Sequence, residues 1–198
     1  MPLWVILFYC ICSFGNDSKL IYDFLHHHSS NLFFYIFTIV EYSLFAAFIY
    51  TILHKVYLKR ALLICSPLFI GFCLFNIFFQ PNAQFDSLQA SIGSLILLIF
   101  CILYLFEQIS KPEPVFIYAS YTFWVVAGIL IYLAATFFLY GFAASLPAKV
   151  VRQYWIINSL GNILKNIFFA TAFIIYVKRP KTTPPERPVE NEYQPFLN

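Results

Sequence analysis

Asn158, Asn162, Lys165 and Asn166 bring most of the chemistry in this 198-residue chain to one place. Their i, i+4, i+7, i+8 spacing puts all four on one face of a helix, within about a 100° arc. The surrounding stretch, Tyr154–Val177, holds 24 residues and no charge other than Lys165. A stretch of that length and apolarity reads as a membrane-spanning helix. A lysine at its centre is strongly disfavoured unless it finds a partner or water. A second charge, Glu41, lies near the middle of another apolar run, Leu32–His54. At about 1.5 Å of rise per residue, both charges fall within about 3 Å of their helix midpoints.

The chain therefore carries an acid and a base near the bilayer midplane, with amides beside the base. An ammonium there can neutralise the acid, hold an anionic ligand group or pass on a proton. Glu41 and Lys165 are expected to face each other inside the bundle or to face water together. One role is purely structural, an ion pair that sets helix register without adding stability. The others are a polar ligand pocket, an ion or proton path, or a switch. The amides favour a pocket, because each brings further donors and acceptors to satisfy. Their plainer use is hydrogen bonding between membrane helices, worth about 1 kcal/mol each.

Other polar positions point to packing more than to chemistry. Pro67 removes a helix hydrogen bond and predicts a kink of the kind common in membrane helices. Gly71, Gly93 and Gly128 would admit a neighbouring helix closely. Gln89, Ser91 and Ser94 would line a cavity mouth or pack small against small. Glu107 and Asp86 sit at span ends, where they can reach water. His26, His27 and His28 adjoin Asp23, but ligands from a single loop make a poor metal site, and a surface run is expected. Asn16-Asp17-Ser18 matches a glycosylation acceptor, a short motif common by chance. The five cysteines (Cys10, Cys12, Cys65, Cys73, Cys101) lie in apolar runs without zinc or disulfide spacing. No HExxH, GxSxG or phosphate-cradling glycine loop occurs, so no catalytic, cofactor or metal residue is expected.

These groups must be positioned by membrane helices. The chain is 61% hydrophobic and only 11% charged, far below the roughly 25% charge of soluble domains. Its formal charge of +3 is small and scattered, which argues against a nucleic-acid partner. Six apolar segments separate: Pro2–Phe14, Leu32–His54, Ala61–Phe79, Leu88–Phe106, Pro114–Phe142 and Tyr154–Val177. The predicted fold is an all-α polytopic transmembrane bundle of about six spans, over residues 1–177. Thirteen helical residues cover only about 20 Å of a core about 30 Å thick, so Pro2–Phe14 is short. It could be a signal peptide, though it lacks a basic leader and a cleavage motif. It could instead continue through Asp17 and Lys19 towards Leu25, or belong to a chain that starts late.

Connections are expected at Gly15–Asn31, Gln80–Ser87 and Ala143–Gln153 on the exterior side. With six spans, one side holds Lys55, Lys59, Arg60, Lys111, Lys178, Arg179, Lys181 and Arg187. The other holds Lys19, Lys149 and Arg152. The excess of basic residues places both termini in the cytoplasm. Residues 178–198, rich in proline and polar groups, cannot bury a core and should form a disordered cytoplasmic tail. No internal repeat is evident, which weakens the case for a transporter built from inverted halves.

Three stretches, FTIVEYSL (Phe37–Leu44), FWVVAGILIY (Phe123–Tyr132) and INSLGNILKNIFF (Ile157–Phe169), together resemble a group of multi-span membrane proteins of Bacteroidetes-type bacteria. The resemblance implies a seven-helix parent with one helix before this chain's first, and implies no activity. The expected function is non-enzymatic, of sensor or signalling-accessory type in the inner membrane. A pocket for a small polar or anionic ligand would lie around Glu41, Asn158, Asn162, Lys165 and Asn166. A channel or carrier is the alternative, and a lipid-modifying enzyme the third.

Overall fold

The structure, a computed structural model, describes residues 2–26, 31–79, 87–110, 117–143 and 148–178. Within these residues the chain forms six α-helices: α1 (Pro2–Leu25), α2 (Asn31–Ile52), α3 (Val56–Phe79), α4 (Ser87–Ile109), α5 (Tyr121–Ala143) and α6 (Ala148–Lys178). A single 3₁₀ turn, Ile117–Ala119, precedes α5. The protein is an all-α polytopic membrane bundle: five of the helices, α2 to α6, are long and apolar enough to cross a bilayer.

The sixth helix, α1, is longer than the apolar first segment. It does not stop at Phe14 but runs on through Asp17, Lys19 and Asp23, giving 24 helical residues. The i, i+4 ion pair Lys19–Asp23, at 3.1 Å, supports this polar end. Most of the expected loop Gly15–Asn31 is therefore helix. The same holds for Ala143–Gln153, since α6 begins at Ala148 and carries Lys149, Arg152 and Gln153 on its first turns. Polar residues of good helix propensity simply extend the helix beyond its apolar part. By contrast α5 starts at Tyr121 rather than Pro114, after the Trp124 indole N–H has bonded back to the Tyr118 carbonyl at 2.7 Å. The Gln80–Ser87 connection up to Asp86, His27, His28 and residues 179–198 of the expected tail lie outside the described residues.

Short connections make successive helices antiparallel, and side-chain contacts fix which ends meet. At one end of the bundle α2 breaks into α3 over Leu53–Lys55. There Glu107 of α4 reaches across and accepts the His54 and Lys55 backbone N–H groups at 3.2 and 2.9 Å. Glu107 is consequently buried, 6% exposed, and does not reach water as its place near a span end suggests. It caps the start of α3, where free N–H groups favour a carboxylate.

The core draws on every helix: Tyr9 from α1, Phe45, Phe48 and Ile49 from α2, Leu62 and Phe69 from α3, Leu97 and Cys101 from α4, Val125 and Ile129 from α5, and Phe169 from α6. Outward faces stay apolar, with Trp4, Phe8 and Ile11 on α1 and Ile163 and Ile167 on α6 all exposed. Such faces suit hydrocarbon and would be a liability in water. Helix α3 runs through Pro67 without a break.

Helices α5 and α6 approach each other closely at two glycines. A Cβ on Gly161 would come within 2.9 Å of the Ala135 Cβ, and one on Gly128 within 3.2 Å of the Lys165 carbonyl oxygen. Glycines at such crossings let membrane helices meet backbone to backbone. Gly93 likewise accepts the Phe69 ring, 2.7 Å from where its Cβ would stand, whereas Gly71 faces open space.

Candidate functional site: a half-bundle cavity

Lys165 is placed by the α5–α6 seam. One turn after Gly161 its side chain leaves α6 inward, and it is 1% exposed. Its ammonium donates to the Tyr9 hydroxyl at 2.5 Å. It lies 3.8 Å from the Tyr132 ring centroid and 4.7 Å from that of Tyr9. Two aromatic faces and one oxygen thus replace the water that the cation has lost. The Tyr9 hydroxyl in turn donates to Glu41 Oε1 at 2.7 Å.

Lys165 and Glu41 therefore meet through a phenol. Among the described residues the ion pair within 4.0 Å is Lys19–Asp23, and the expected direct contact of Glu41 with Lys165 is not made. The reason is steric: α1 inserts Tyr9 between α2 and α6, with its ring 4.4 Å from Phe45 and edge-on to Phe169.

The two charged ends of this relay, Glu41 and Lys165, form the floor of a cavity of about 220 Å³. Going outward from the floor, the walls are Tyr9's neighbours Ser13, Asn16 and Asp17 on α1 and Tyr132, Thr136 and Tyr140 on α5. Asn158 and Asn162 of α6, Ala90, Gly93 and Ser94 of α4, and Phe37 and Tyr42 of α2 with Phe69 of α3 also contribute. In every helix these positions lie at mid-span or in the half that leads to the α1–α2, α3–α4 and α5–α6 connections. Asp17 and Ser159, in the outer part, are exposed. The opposite half is filled by Phe45, Phe48, Ile49, Val125 and Ile129, each 0% exposed. The cavity's lining stops short of these side chains.

Its walls are incompletely satisfied. Thr136 donates to the Tyr132 carbonyl at 2.9 Å and approaches Asn158 Oδ1 at 3.3 Å. Two wall atoms, Asn16 Oδ1 and Asn162 Oδ1, are buried and have no hydrogen-bond partner. A buried amide oxygen left so is destabilising by about 1–3 kcal/mol unless a water or ligand fills it.

Of the five residues singled out in the sequence, Glu41, Asn158, Asn162 and Lys165 line this one cavity. Asn166 does not; it is exposed among Ile163 and Ile167. At about 100° per residue it sits about 40° beyond Asn162 around α6, past the edge of the cavity wall. Ser94 lines the cavity, whereas Gln89 and Ser91 are buried between helices. Tyr9 and Tyr132 were missed, because a tyrosine among so many aromatics carries little signal. A signal was present nonetheless: Tyr9, Ser13, Asn16 and Asp17 repeat the i, i+4, i+7, i+8 spacing of the α6 stripe.

Among the described residues no three His, Cys, Asp or Glu side chains converge on a metal-sized site. No protein-family model, curated protein or solved structure matches the chain. The chemistry of the cavity rests on its own geometry.

Proposed function

We propose that this membrane protein is a receptor for a small polar solute, of sensor or signalling-accessory type, with the cavity as its binding site. The carrying observation is the depth of that cavity: it descends to the buried Lys165 and the half-buried Glu41 while two amide oxygens on its wall stay unpartnered. A structural ion pair would need no space beside it, and a space this polar is stable only when occupied by water or ligand. Occupancy that disturbed Lys165–Tyr9–Glu41 would change how α1, α2 and α6 are held together. That gives binding a way to bias helix packing. In this reading the protein lies in the cell (inner) membrane with its C-terminus cytoplasmic, and the cavity opens to the exterior. A lining that stops short of the packed opposite half favours a receptor over a channel, which needs a continuous path.

Accessibility tests the site. In Ser94→Cys, a near-isosteric change on the cavity wall, the new thiol should react with membrane-impermeant methanethiosulfonate reagents in proteoliposomes. The native Cys101, two turns deeper on the same face of α4 and 0% exposed, is the internal control. Site-resolved mass spectrometry should show modification at position 94 and none at 101. Equal protection of both would sink the proposal.

A further inference from the structure

The cavity has an excess of acceptors. Its charged wall groups are two carboxylates, Asp17 and Glu41, and one ammonium, Lys165. That ammonium is already turned towards the Tyr9 hydroxyl and two ring faces at the floor. The unpartnered atoms on its wall are again acceptors, Asn16 Oδ1, on a residue 7% exposed, and Asn162 Oδ1; the donor left unpartnered, Gln89 Nε2, lies outside the lining. What is missing is a donor, and one positive charge. Aromatic side chains also line the space, among them Phe37, Tyr42, Phe69 and Tyr140. Aromatic walls with a nearby acid are the chemistry that holds ammonium groups.

We infer that the solute is a small organic cation, an amine or ammonium compound, held by Asp17 and the Asn16 and Asn162 amide oxygens above the floor of Glu41 and Lys165. A volume of about 220 Å³ is roughly seven waters' worth and exceeds the 150 Å³ that accepts benzene. A primary amine bearing one ring or a short chain fits. The charge balance of the lining then closes, two negative groups against two positive ones, which favours a cation in a site whose inner part is buried. An anionic ligand at Lys165 would instead add a third negative charge and leave both orphaned acceptors unmet.

This inference rests on the cavity being a solute site, and the test separates the two. Full-length Ser94→Cys protein in proteoliposomes is labelled with a trimethylammonium and with a sulfonate methanethiosulfonate reagent, each rate normalised to free cysteine. The cationic reagent should react at least about tenfold faster, the lower end of what a like-signed, low-dielectric cleft does to local ion concentration. Adding Asp17→Asn, an exposed position on α1, should bring the ratio close to one. Phenethylamine hydrochloride should slow labelling, and sodium phenylacetate or sodium chloride at equal ionic strength should not. A ratio near or below one without Asp17→Asn, or protection by phenylacetate or sodium chloride equal to that by the amine, overturns the cation assignment and leaves the cavity reading intact. Failure of both reagents to label position 94 overturns both.

Discussion

Between Lys165 and Glu41 stands the hydroxyl of Tyr9, accepting from one and donating to the other at 2.5 and 2.7 Å. Each charge is bonded to the phenol, so most of the coupling between them should pass through it. A double-mutant cycle over Glu41→Gln and Lys165→Gln, read from denaturation in detergent, should give a coupling of about 1–3 kcal/mol. In a Tyr9→Phe background the same cycle should fall to about 0.5 kcal/mol or less, because hydrogen-bonded networks transmit coupling through their middle member. Undiminished coupling in Tyr9→Phe would mean that the charges pair directly. Much of this site was legible in residue type and depth: an acid and a base in mid-span are strongly disfavoured in lipid, and amides beside them favour the interior, although Asn166 shows that an amide there can also face outward. The phenol was not legible, because its bond to Lys165 joins positions 156 apart in the chain.

At the scale of helices, the α5–α6 seam decides where Lys165 points. Gly161→Ala should destabilise the bundle by about 1–3 kcal/mol, since its methyl would sit 2.9 Å from the Ala135 Cβ across a backbone contact. Gly71→Ala meets nothing within 4 Å and should be neutral or stabilising by up to about 1 kcal/mol, the helix-propensity difference. Thermal unfolding of the two variants side by side reads the contrast; equal effects would remove the seam from the argument. Both glycines look alike in the sequence, and only the neighbour opposite tells them apart. Helix ends follow the same pattern. Apolar length located the spans, but α1 and α6 overran it, because a helix stops where its backbone finds other partners and not where its hydrophobicity fades.

For the whole molecule, the cavity occupies the half leading to the α1–α2, α3–α4 and α5–α6 connections, and of the described basic residues Lys55, Lys59, Arg60 and Lys178 lie at the other end. Fusions at the C-terminus should therefore fluoresce with a cytoplasm-dependent reporter and show no activity with a periplasm-dependent phosphatase. The reverse result would turn the cavity towards the cytoplasm and change which solutes can reach it. Composition alone determined that the chain lives in a membrane as a helix bundle, and which spans carry a charge at mid-depth. These are local properties, set by apolar length and by a period of 3.6 residues. Tertiary structure alone decided that Tyr9 stands between the charges, that Asn166 falls outside the cavity and that Glu107 caps α3 instead of reaching water. Each depends on which side chain a neighbouring helix brings to the same point, and in a bundle held by shape and hydrogen bonds that choice is made by packing.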